Sequence, residues 1–164
     1  MLKTLLLATL LLPAFAQAQS FDFDTVNGVA IGQSIEQLKQ HYPQAKTAKN
    51  QINTECYYVE IPEIEGIQWM IIDGIVARAD IPTSYKSPTL PVVSAFITGQ
   101  LTPEQAASRY TNIELDDHEY QQGYRVSFIN ANGDRAVVAD YVDNKVENVR
   151  IGLIPAAMFI EGCA

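Results

Sequence analysis

In the stretch GVAIGQSIEQLKQHYP, the apolar residues Ile35, Leu38 and Tyr42 fall at spacings of three and four, the period of one face of a short helix. Ser34 stands where an N-cap would sit, and its hydroxyl can accept from an orphan backbone N–H. Gln37, three residues on, completes a capping box, and Pro43 stops the helix. The period then drops to two. Tyr57, Val59 and Ile61 alternate with Tyr58 and Glu60, as in a half-buried strand. Gly66 breaks the run, Ile67 to Ile72 forms a dense apolar strand, and Asp73-Gly74 is a two-residue hairpin signal. The returning strand runs from Ile75 to Ile81, with Arg78 and Asp80 expected to face outward.

The same succession comes a second time. ITGQLTPEQAASRYTNI opens with Gly99-Gln100, as Gly32-Gln33 opens the first helix. Thr102 is the expected N-cap, Pro103 takes the first helical position, Gln105 completes the box, and Ala106 and Tyr110 carry the apolar face. Tyr124, Val126 and Phe128 then alternate with Arg125 and Ser127, Asn130 to Asp134 reads as a glycine-containing turn, and Ala136 to Val142 reads as a strand. Asp143-Asn144 turns the chain into a last strand holding Val146 and Val149. The expected fold is therefore α+β, built as two tandem helix–antiparallel-meander units. Short helices would cover one sheet face and leave the other to solvent. The Pro-, Ser- and Thr-rich PTSYKSPTLP falls between the units, which gives the divisions 1–18, 19–82, 83–91 and 92–164.

Residues 1–18 form a separate class. Lys3 precedes an apolar run from Leu5 to Leu12, and Ala16-Gln17-Ala18 is the small-x-small pattern of a signal-peptidase site. The run is shorter than the roughly 20 residues that span a bilayer. Cleavage is expected after Ala18, without a lipid-bearing cysteine, releasing a soluble protein into a bacterial periplasm. No later stretch is long and apolar enough for integral membrane insertion.

Charge narrows the partners. Lys and Arg number 11 against 19 Asp and Glu, a formal net charge of −8. Removal of Lys3 makes the mature chain more acidic still. Such a surface repels phosphate backbones, so nucleic acid is not an expected partner, whereas a basic protein is. With 48% hydrophobic residues the chain can form a real core.

The Gly-x-Ser/Thr opening, the short helix and the meander that follows together resemble the outer-membrane assembly lipoprotein BamE. They also resemble the β-lactamase inhibitory protein, in which such a unit is duplicated. The matching residues are Gly32, Ser34 and Leu38 in the first unit and Gly99, Thr102 and Ala106 in the second. The resemblance implies a protein-binding module without catalysis. BamE-like proteins carry a lipidated cysteine, which this chain lacks, and no inhibitory contact residue matches.

Candidate chemistry is sparse. Cys56 and Cys163 are the two cysteines, and an oxidising compartment favours their pairing as a structural disulfide. Such a bridge would carry the apolar tail GLIPAAMFIEG back across both units, burying Met158, Phe159 and Ile160. His41 reads as a surface imidazole near a helix C-terminus. His118 lies in ELDDHEY with Asp116, Asp117 and Glu119, which reads as a solvated acidic loop rather than a metal site. NANGD lacks the distal glutamate of a calcium loop, since position 141 is Tyr141. Phe21 to Asp24 alternates as a short edge strand would. No hydrolase elbow, phosphate loop or dinucleotide fingerprint occurs, so no catalytic residue, metal or cofactor is expected. Tyr58, Trp69, Asp116, Asp117, His118 and Glu119 are the candidate partner-binding residues, the aromatic ones because Tyr and Trp bring contact area at low entropic cost. The leading expectation is a non-catalytic inhibitor or immunity protein for a periplasmic or cell-wall hydrolase. The alternatives are an envelope assembly or maintenance factor and a small-ligand or metal-binding periplasmic module.

Overall fold

A computed structural model describes residues 22–49, 53–85 and 91–163. The expected leader and the central part of the expected linker lie outside the described residues. An N-terminal hairpin pairs β1 (Thr25–Val26) with β2 (Val29–Ala30). It leads into helix α1 (Ile35–His41), then strands β3 (Lys46–Thr47), β4 (Cys56–Glu60), β5 (Gln68–Ile72) and β6 (Ile75–Pro82). Helices α2 (Pro91–Ile97) and α3 (Pro103–Arg109) follow, then β7 (Ile113–Asp117), β8 (Gly123–Ile129), β9 (Arg135–Val142) and β10 (Lys145–Leu153).

Both capped helices form as their sequences dictate. The Ser34 hydroxyl accepts from the Gln37 N–H at 3.2 Å, and the Gln37 side chain accepts from the Ser34 N–H at 2.9 Å. Thr102 and Gln105 repeat the exchange at 3.3 and 3.1 Å. Both helices end at a tyrosine, Tyr42 or Tyr110. The hairpins follow from turn chemistry as well. Asp73-Gly74 and Asp143-Asn144 each place two consecutive residues at positive φ, 50° and 76° in the first and 48° and 61° in the second. That conformation matches the twist of the flanking strands.

The eight strands β3 to β10 form one antiparallel sheet in the order β3-β4-β5-β6-β10-β9-β8-β7. The two meanders meet through their last strands, with Ala79 opposite Ile151 and Ile81 opposite Val149. The alternation of strand residues sorts the side chains onto two faces. Val59, Trp69, Ala79, Ile151, Val137 and Phe128 line one face, where Ile35, Leu38, Val93, Phe96 and Ala106 of the helices bury them. Phe96 and Tyr110 each meet the Phe128 ring edge-on at 5.4 Å.

Several expectations need correction. Each meander has four strands, because β3 and β7 add an outer edge. ELDDHEY begins as strand β7 rather than as a loop, and its pairing with β8 supplies the order that its acidic composition conceals. Residues 22–24 are not a strand. The Asp22 carboxylate instead accepts from the Asp24 and Thr25 N–H groups, at 3.0 and 2.9 Å, which turns the chain into β1. Phe21 lies outside the described residues. Arg78 does not face solvent, since it is 2% exposed. A strap formed by residues 154–163, including the short 3-10 turn Ala156–Met158, runs back over the face that the helices leave open.

Candidate functional site

The strap rests on a row of arginines. Strand alternation brings Tyr58 of β4, Arg78 and Asp80 of β6, Arg150 of β10, Asp140 of β9 and Arg125 of β8 to this second face. Asp80 grips Arg78 at both ends of its guanidinium, 2.8 Å from Nε and 2.9 Å from Nη2. Asp140 holds Arg150 Nη2 at 2.6 Å. Planar guanidinium groups suit such pairing and leave other N–H groups free to donate. Those groups take the strap's backbone. Arg78 Nη1 donates to the Ala156 and Phe159 carbonyls, both at 3.0 Å. Arg150 Nη1 donates to the Phe159 carbonyl at 2.6 Å, and Arg125 Nη1 to that of Met158 at 3.3 Å.

Electrostatics follow from this burial. Desolvation of Arg150, partly offset by Asp140, lowers its pKa from the ordinary arginine value. The Tyr58 hydroxyl accepts from Arg78 Nη2 at 2.8 Å. Burial first, and then the Asp80 carboxylate, push its pKa up to about 12. The phenol is therefore neutral at physiological pH.

At its far end the strap is covalently fixed. Cys56, the first residue of β4, and Cys163 form a disulfide across 107 residues of sequence. Next to it, Gly162 lies directly on Tyr58. A Cβ at Gly162 would come within 2.7 Å of the tyrosine oxygen, so a larger residue would push the strap off the ring. Gly152 meets a similar limit where β10 crosses β6, since a Cβ there would lie 2.5 Å from the Ala77 carbonyl.

The expected burial of the tail is only partly correct. Ala156 and Ala157 are buried, and Ala157 joins a small apolar cluster with Ala136 and Val138. Met158 and Ile160 are half-buried, and Phe159 is 50% exposed. The arginines hold the Phe159 carbonyl, while its side chain stays half exposed. Beside it stands Tyr120, 64% exposed, whose hydroxyl donates to Glu161 Oε1 at 2.7 Å. That hydrogen bond ties the strap to the β7–β8 connection and raises the Tyr120 pKa. A shallow cavity of about 260 Å³ lies among Glu119, Tyr120, Phe159 and Glu161.

The predicted partner-binding residues scatter across the fold. Trp69 is 0% exposed and belongs to the helix-side core, so its assignment to a binding surface is corrected. Its alternation partner across the sheet is Val59, also wholly buried. Tyr58 points to the opposite face, as its alternation predicts, but lies half-buried beneath the strap. Asp116 and Glu119 flank Arg125, at 3.5 and 3.6 Å. Asp117 falls on the other face, opposite Tyr124. His118 Nδ1 accepts from the Tyr120 and Gln121 N–H groups at 3.3 and 3.2 Å, so its imidazole caps a turn. Among the described residues no three His, Cys, Asp or Glu side chains gather as metal ligands.

Two broader clefts lie among the described residues. One of about 780 Å³ is lined by Glu60, Glu65, Asp80, Glu147 and Lys46. The other, about 750 Å³, lies near the start of α3 with Tyr124, Tyr141 and Asp117. No described helix is long and apolar enough to cross a membrane. Comparison with known protein families, curated proteins and solved structures gives no match for this chain.

Proposed function

We propose that the chain is an exported, non-catalytic protein-binding module that inhibits or confers immunity to a basic periplasmic or cell-wall hydrolase. Its recognition surface is the outer side of the strap. The observation that carries this reading is the exposure of Phe159 and Tyr120 on a backbone and a hydroxyl that are each held in place. Phe159 is set by two buried arginines through its own carbonyl, and Tyr120 by Glu161. Large aromatic side chains held in place before binding lose little entropy on association, which is the property of an interface anchor. Glu119 and Glu161 border them and favour a positively charged partner.

The strand order is compatible with the two-unit reading. Each half runs from a capped helix into four antiparallel strands, and the halves join symmetrically through β6 and β10. The bridge between Cys56 and Cys163 fits the proposed export, since disulfides persist in oxidising compartments.

The test measures inhibition of purified basic cell-wall hydrolases by wild-type protein and by Phe159→Ala and Tyr120→Ala variants. Inhibition by the wild type, weakened at least about tenfold by either truncation, is the expected result. A hydrolase inhibited equally by all three proteins would place the recognition surface elsewhere. Absence of inhibition throughout the panel would remove this reading.

A further inference from the structure

The face beneath the strap holds its occupant in an unusual way. Arg78 and Arg150, 2% and 0% exposed, are already neutralised by Asp80 and Asp140 on neighbouring positions of the sheet. Their remaining N–H groups reach the strap through backbone carbonyls, those of Ala156, Phe159 and Glu161. No side-chain charge of the strap enters these contacts. The strap side chains that the face buries fully are small, Ala156 and Ala157, the latter against Ala136 and Val138, while Ile154 and Met158 pack half-buried against the same cluster. Beyond Met158 the strap's side chains are half-buried or exposed. The covalent bond at Cys163 thus secures the end of a segment whose own side chains bury little.

We propose that this face is a binding site for a peptide main chain, of which residues 154–163 are the resident occupant. Its ligand is a peptide with two consecutive small residues in a single turn, followed by an extended run. Arginine N–H groups read the carbonyls, and the Ala136–Val138 cluster closes over the second small side chain of the turn. The site opens when a dithiol reductant passes two electrons and two protons to the Cys56–Cys163 bond. That step yields two thiols and leaves the reductant as its own disulfide. The released strap then competes with a partner's peptide for the same carbonyl contacts. Release of the strap also displaces Phe159 and Glu161, so this site and the outer surface of the strap belong to alternative states of the protein, and the test reads the peptide site alone.

The test uses full-length Cys163→Ser protein, in which Cys56 is a free thiol. The probe is a synthetic peptide copying residues 154–163, with its cysteine held as a mixed disulfide with glutathione. Attack by the Cys56 thiolate forms a protein–peptide disulfide and releases glutathione, which intact-mass spectrometry reads. A seated peptide places its disulfide beside Cys56 and raises the local concentration there. Capture at least about tenfold above that of the same residues in scrambled order is expected, corresponding to about 1.4 kcal/mol of preferential seating. Equal capture of the two peptides by protein with native circular dichroism overturns the proposal. If the variant does not fold, wild-type protein takes its place, with a serine-terminated copy bearing a photoreactive group on its phenylalanine. Crosslinking to dithiothreitol-reduced but not to oxidised wild type supports the site. Absence of crosslinking to the reduced protein, or equal crosslinking to both forms, overturns it.

Discussion

Arg150 and Asp140 form an ion pair whose side chains are 0% and 6% exposed. Removal of one partner leaves the other charge buried and unpaired, which costs far more than the pair contributes when intact. Arg150→Ala is therefore expected to destabilise the protein by about 3–5 kcal/mol in urea unfolding. Joint replacement of Arg150 and Asp140 by apolar residues of similar volume should cost less. Tyr58 gives a pH signature on the same face. Its pKa of about 12 in the fold lies above the ordinary 10.0, so the fold favours the neutral phenol. Its contribution is fully present below pH 10 and is lost as pH rises toward 12. Tyr58→Phe protein should show a shallower loss of unfolding free energy across that window than wild type. These residues were the least legible in sequence. Arg78 and Asp80 alternate with apolar neighbours as solvent-facing residues do, and strand period carries no record of a distant segment folded over them. Phe159 misled in the opposite sense: an apolar run suggests burial, but its carbonyl, not its ring, makes the deep contacts.

Local elements were much easier to read. The capping boxes at Ser34 and Thr102, the stops at Tyr42 and Tyr110, and the positive-φ hairpin turns each depend on residues within a few positions of one another. Ser34→Ala should cost about 1 kcal/mol in the same unfolding assay, because one orphan N–H of α1 loses its acceptor. A Ser34→Gly variant should lose only a few tenths of that unit, which separates the cap from general disruption. Edge strands were harder. The two residues of β3 are too few to show a period, and β7 carries Glu114, Asp116 and Asp117, residues that disfavour strands and also protect an edge from unwanted pairing. Helix α2 is hard to read in sequence because PVVSAFI follows a Pro-rich stretch and offers no capping-box pattern.

Across the whole molecule, the strap is what turns a two-faced sheet into a layered structure. Helices cover one face, and the other is closed by a backbone held on arginines and locked at Cys56. The pairing of the two cysteines was legible from their number and the expected compartment, and it correctly carried the tail back to β4. The arginine row beneath was not, since it forms only when strands from both halves lie side by side. NMR on the oxidised protein tests this arrangement most directly. Seating of the strap predicts nuclear Overhauser contacts between the Tyr58 ring and the Gly162 α-protons, with the latter shifted by the ring current. Gly162 resonances at random-coil positions, with no contact to Tyr58, would contradict a strap closed over the sheet.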